Sequence, residues 1–144
     1  MFENINIHSS VAVYVQIENT VQFAVASGRL KAGDQLPSIR EASEKLNVNP
    51  NTVAKAYRDL EVMDILYTRR GMGVFINKGA DVKCKEGTRQ RIVGRLHEVV
   101  SEAKAAGMTP QEIKAISAAS CAIDAEPYGE VPASLLAMAK SKKS

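Results

Sequence analysis

The stretch Gly33–Ile76 constrains the fold more than any other part of the chain, because its start and stop signals leave few alternatives. Ser38 and Glu41 form an S-x-x-E capping box just after Pro37, and Ile39, Ala42 and Leu46 recur at i, i+3 and i+7. That pattern predicts a short helix over Ser38–Leu46 with one apolar stripe. Asn47 suits the left-handed position after a helix. Asn49 then suits an N-cap, and Pro50 the first helical position, where its missing N–H removes no bond. Val53, Tyr57 and Leu60 follow at i, i+4 and i+7 and define the inner face of a second helix. Two β-prone runs, Ile65–Thr68 and Val74–Ile76, flank Arg69-Arg70-Gly71-Met72-Gly73, which reads as a hairpin turn with two glycines. Two helices joined by a tight turn and followed by a basic hairpin make the pattern of a winged helix-turn-helix.

The outward positions of this pattern carry recognition chemistry. Asn51, Thr52, Lys55 and Arg58 fall on or near the outer face of the second helix. Amides and hydroxyls read base edges in a major groove, and cations hold phosphates. Arg69 and Arg70, adjacent at a hairpin tip, suit phosphate or minor-groove contact. Either feature alone describes an ordinary solvated surface. The tight turn before the helix and the wing after it make double-stranded DNA the expected partner.

The chain at this point resembles the GntR family of bacterial transcription regulators. The matching residues are Tyr14-Val15-Gln16-Ile17, Gly28-Arg29-Leu30, Gly33-Asp34, Leu36-Pro37-Ser38-Ile39-Arg40-Glu41, Asn51-Thr52-Val53, Ala56-Tyr57, Leu60-Glu61 and Gly71-Met72-Gly73-Val74-Phe75. They span a little under half the chain, and their ordered combination is specific where each piece is weak. Carried over position by position, the resemblance implies DNA contacts from Ser38, Arg40, Asn49, Asn51, Thr52, Lys55, Arg70 and Gly71. Three positions depart from the family pattern. Ala12 stands where proline is frequent, and Asn47 and Asp64 stand where glycine is usual. Asn and Asp tolerate left-handed backbone angles better than most residues.

Composition bounds the other readings. Hydrophobic content of 45% and charged content of 24% are ordinary for a globular protein. The formal net charge is only +3, so the evidence for a nucleic-acid partner is local rather than global. Cys84 and Cys121 form no C-x-x-C pair and are expected to be reduced, partly buried thiols. His8 and His97 have no companions at metal-ligand spacing, so neither a metal nor a cofactor is expected. No apolar run reaches membrane-span length, and Met1–Ile7 lacks the basic start and apolar stretch of a signal peptide. The expected location is the cytoplasm. An enzyme is disfavoured: no nucleophile–base pairing is recognisable, and Gly71-Met72-Gly73 sits in a hairpin rather than before a helix.

Along the chain, Ile5 and Ile7 alternate with polar residues and suggest a short edge strand. Ser9 or Ser10 is placed to cap a first long helix with Tyr14, Ile17, Val21 and Ala24 on one stripe and Gly28 as its stop. Lys31–Asp34 reads as a turn. The boundary is expected at Lys78-Gly79-Ala80-Asp81, giving a DNA-binding domain over residues 1–78 and a helical region over residues 79–144. In the latter, Ile92, Leu96, Val99 or Val100, Ala103 and Ala106 recur at helical spacing up to Gly107. Thr109-Pro110-Gln111-Glu112 opens a second helix with Ile113 and Ile116 on its apolar face. After Asp124 the chain reads as irregular, with one turn near Ala133–Met138 and a basic end at Lys140, Lys142 and Lys143.

Two amphipathic helices of this size cannot bury their apolar faces by themselves. They pack on the winged domain or on a second copy, and the second copy explains more, because a two-fold dimer reads two half-sites. Ile92, Leu96, Val99, Val100, Ala103, Ile113 and Ile116 are therefore the expected dimer interface. The region is too short for the larger ligand-binding domains of many GntR proteins. It resembles the short two-helix C-terminal region of the YtrA subfamily, which implies a homodimer. A small-molecule effector is compatible with this plan. The expected fold is mainly α with a small β wing: a winged helix-turn-helix followed by a two-helix dimerisation appendage. The expected function is sequence-specific repression at an inverted-repeat operator. The alternative is a winged-helix module that binds a protein or RNA without reading DNA sequence.

Overall fold

The computed structural model describes residues 1–140, so Lys142 and Lys143 of the basic end lie outside the described residues. The chain divides into two compact units, the first Met1–Arg91 and the second beginning at Ile92.

In the first unit, α1 (Val13–Ala26) and α3 (Pro50–Val62) pack against each other, and α2 (Ile39–Leu46) packs on α3. Most of the expected apolar stripes meet here: Ile17 and Val21 of α1, Ala42 of α2, and Val53, Ala56, Tyr57 and Leu60 of α3 are all buried, whereas Ile39, expected on the α2 stripe, is 36% exposed in the first turn of its helix. Burying a large aliphatic side chain contributes roughly 1.5–3 kcal/mol, so this cluster supplies the main drive for folding the unit. The helix signals work as read. Ser38 Oγ accepts from the Glu41 amide at 3.0 Å, and Asn49 Oδ1 accepts from the Asn51 amide at 2.8 Å. Asn47 adopts φ 55° and Asp64 φ 59°, so both departures from glycine occupy left-handed positions.

Three strands form one antiparallel sheet in the order β1 (Gln35–Leu36), β3 (Gly73–Ile76), β2 (Leu66–Arg69). Tyr67 lies opposite Phe75 in the register and stacks on it at 5.6 Å between ring centroids. The third strand corrects the sequence reading. Ile5 and Ile7 form no strand; the free edge of β3 is taken by Gln35–Leu36 instead. The backbone around Asn6 is satisfied by one buried side chain. Gln16 Oε1 accepts from the Asn6 amide, and Gln16 Nε2 donates to the Asn6 and Val11 carbonyls, all at 2.8 Å. The cap of α1 is corrected too. The helix starts after Ala12 with no side-chain cap, while Ser9 Oγ accepts from the Val11 amide within the preceding turn.

Helix α4 (Ala80–Ala105) begins directly after Gly79, and its first turns belong to the first unit. Ala80, Cys84 and Thr88 are buried there. Cys84 is thus fully internal, whereas Cys121 is exposed rather than partly buried.

The second unit holds the rest of α4, α5 (Pro110–Cys121) and α6 (Ala133–Met138), with α5 packed on α6. Gly107, at φ 95°, ends α4, and Thr109 Oγ1 caps α5 by accepting from the Glu112 amide. No described residue of this unit is fully buried.

Candidate nucleic-acid interface

The cap and outer surface of α2, the cap and outer face of α3 as far as Arg58, and the end of β2 with the β2–β3 turn carry the ten candidate contact residues. Arg40, Asn49, Asn51, Lys55, Arg58, Arg69, Arg70 and Gly71 are exposed, and Ser38 and Thr52 are half-buried. The caps orient the polar ones. Asn49 spends its carbonyl oxygen on the Asn51 amide, which leaves its Nδ2 donors outward. Ser38 accepts from Glu41 and keeps its hydroxyl proton for a partner. Asn51 and Thr52 stand in the first turn of α3, the end of a helix best placed to reach base edges.

Tyr57 holds the two helices in register. Its hydroxyl donates to the Pro37 carbonyl at 2.7 Å, tying α3 to the residue before the α2 cap. Burial pushes its phenol well above the ordinary range, so it stays a donor at any working pH. Sequence periodicity assigned Tyr57 to the core without foreseeing this bond.

The cations differ in readiness. Arg40 Nε donates to Glu44 Oε1 at 3.1 Å, with both side chains mostly exposed. Lys55 Nζ lies 3.3 Å from Asp59 Oδ2 and 4.7 Å from the centre of the Tyr14 ring. Exposed pairs of this kind contribute roughly 0–1 kcal/mol, so exchanging the carboxylate for a phosphate costs little. Arg58, Arg69 and Arg70 form no ion pair among the described residues.

Behind α3 lies a feature the sequence reading missed. Glu18 of α1 and Asp59 of α3 border a cleft of about 390 Å³ together with Gln22 and Arg91. Burial, then the hydrogen bond to Asp59, raises the Glu18 carboxyl to about 8. The same bond holds Asp59 below its ordinary value. Arg91 Nη2 donates to Gln22 Oε1 and, at 3.3 Å, to Thr88 Oγ1. Glu18 and Asp59 are 41 residues apart in the sequence, so no local pattern pairs them.

In the second unit, Ile92, Leu96 and Val99 are 50%, 59% and 52% exposed, large values for aliphatic side chains. Val100, Ala103, Ile113 and Ile116 are half-buried. Leu96, Val100, Ile113, Ile116 and Leu135 line a groove of about 690 Å³. No group of three or more His, Cys, Asp or Glu side chains among the described residues could hold a metal ion. No helix among them is long and apolar enough to cross a membrane.

Residues 13–76 match the family described as "Bacterial regulatory proteins, gntR family". The chain is 38% identical over 114 residues to the HTH-type transcriptional repressor YtrA of Bacillus subtilis (strain 168), covering 76% of this chain and 88% of that one. It is 34% identical over 107 residues to the uncharacterized HTH-type transcriptional regulator YhcF of the same organism, covering 73% and 86%. Among solved structures, a GntR family transcriptional regulator from Listeria monocytogenes superposes with a TM-score of 0.56 at 34% identity, covering 76% of this chain and 95% of that one. The winged fold, the exposed polar face of α3 and these relatives agree: the chain belongs to the GntR family of bacterial transcription regulators, and it is a regulator with a DNA-binding domain rather than an enzyme.

Proposed function

We propose that the protein is a cytoplasmic homodimeric repressor that binds an inverted-repeat operator and blocks the promoter it covers. The observation that carries this reading is the exposed apolar stripe Ile92, Leu96 and Val99, continued by the groove beside Ile113 and Ile116. An aliphatic surface of this kind, left open by a small helical unit none of whose described residues is buried, needs a partner, and a second copy supplies a self-complementary one. A two-fold protein matches a two-fold site. Val100 and Ala103 complete the interface. On the DNA side, Asn51 and Thr52 read base edges, helped by Ser38 and Asn49. Arg40, Lys55, Arg58, Arg69 and Arg70 hold phosphates or a groove edge, and the Gly71 backbone approaches the duplex. The repressor assignment draws on the likeness to YtrA.

Sedimentation of the wild type and of Leu96→Glu tests the assembly. Glutamate at that position would place an unpaired charge in a desolvated seam. The variant is expected to sediment as a monomer and to lose affinity for a duplex selected by the wild type from a random-sequence pool. A wild type that stays monomeric at concentrations where it binds that duplex would refute the dimer.

A further inference from the structure

We propose that Gln35 is a positioning residue for DNA binding, its side-chain amide fixing the wing turn that presents Arg69 and Arg70. The inference rests on the proposal that the wing touches DNA. Gln35 Nε2 donates to the Met72 carbonyl at 3.0 Å, a bond between residues 37 apart in sequence. Its backbone lies opposite Phe75 on the neighbouring strand.

The two ends of this bond differ in how firmly they are held. On the β1 side, Leu36 is 3% exposed, and Pro37 receives the Tyr57 hydroxyl. Ser38, one residue further, caps α2. The post is therefore anchored in the core. On the wing side, Arg69, Arg70, Gly71 and Met72 are all exposed. The turn is closed by the Met72 amide donating to the Arg69 carbonyl at 2.9 Å, with Gly71 at φ 78°. Beyond the strand pairing of Arg69 with Gly73, this is the turn's own closing bond. A second bond to a fixed post holds the arginines at a set distance from the α2 cap and its neighbour Arg40.

Gly73 makes the tie possible. At φ 123° it adopts a conformation few other residues reach, and a Cβ there would overlap the Gln35 amide nitrogen. The space that glycine leaves empty is the space the Gln35 side chain fills. The paired signal, a glycine closing the wing turn and an amide at the start of β1, joins two contact regions that the sequence reading treated separately.

The test is a double-mutant cycle in the full-length protein, with a duplex selected by the wild type from a random-sequence pool as the probe. Gln35→Met keeps the length of the side chain and removes the donor. It is expected to lower affinity roughly three- to tenfold, the worth of one exposed neutral hydrogen bond. In a background carrying Arg69→Ala and Arg70→Ala, the same substitution should have almost no effect, because there is no longer a basic tip to position. The unfolding midpoint should fall by a few degrees at most, as for the loss of one exposed hydrogen bond, and ¹⁵N relaxation of the free protein should show the Gly71 and Met72 amides loosened. Two outcomes overturn the proposal, and they are distinguishable. If the arginine variant weakens binding but Gln35→Met alters neither affinity nor turn order, or adds its loss independently, Gln35 does not position the wing. If the arginine variant binds as tightly as the wild type, the wing does not contact DNA, and the positioning role falls with that reading.

Discussion

Replacing Glu18 with Gln should stabilise the protein at alkaline pH and leave it unchanged near pH 5. Glu18 is only 9% exposed and shares a hydrogen bond with Asp59 across α1 and α3. Asp59, Lys55 and Arg91 are the charged groups that face it; the first raises its affinity for a proton, and the two cations oppose this. Its carboxyl rises from 4.5 to about 8 in the fold. The folded state therefore holds a proton that the unfolded state releases above about pH 4.5, and the fold loses stability as pH climbs from there to about 8, then levels off. At about 1.4 kcal/mol for each tenfold change in proton affinity, the ceiling is about 5 kcal/mol. Glu18 borders an open cleft, and solvent screening there lowers the expected effect to about 2 kcal/mol. Glutamine keeps an N–H donor for Asp59 and cannot ionise. Urea unfolding of wild type and Glu18→Gln, at one protein concentration, should give equal stabilities near about pH 5 and a variant ahead by about 2 kcal/mol near about pH 8. That gap corresponds to a rise of roughly 8 °C in midpoint. A difference between the two proteins that stays constant across this range would refute the reasoning.

Asn51→Ala is expected to weaken binding to the selected duplex by about 1–3 kcal/mol while barely altering binding to random duplex; equal losses on both would reduce Asn51 to a backbone contact. Arg40→Ala should weaken binding to all sequences and flatten the log–log salt dependence by about one for the phosphate contact removed, as titrations over a range of salt would record. Ala12, where the family often has proline, adopts φ −58° and ψ 144°, within reach of a proline ring. Ala12→Pro should raise stability by about 0.4–1 kcal/mol through the unfolded state, measured by thermal unfolding.

The helix-turn-helix was legible in the sequence because its determinants are local. The Ser38 cap, a left-handed Asn, an N-cap followed by Pro50 and the α3 stripe each act within one or two turns of chain and reappear in the structure where the pattern put them, whereas the α2 stripe is buried only at Ala42. The polar faces could be located for the same reason: once the inner stripe is known, the remaining positions point outward. What the sequence could not decide involves partners far apart in the chain. The third strand is two residues long, too short for any alternation to register, and exists because β3 offers a free edge. Ile5 and Ile7 had the alternation but not the edge, since Gln16 satisfies the neighbouring backbone in another way. The first turns of α4 enter the first unit because Ala80 and Cys84 fit its core, although the glycine at 79 and the polar residues around it read as a boundary. The Glu18–Asp59 pair, the Tyr57–Pro37 clamp and the Gln35–Met72 tie all join residues from different elements. Local rules set which helices form and which faces they bury. Only the packing of one element on another decides which polar groups become neighbours, and therefore which carboxyl keeps its proton and which turn is held still.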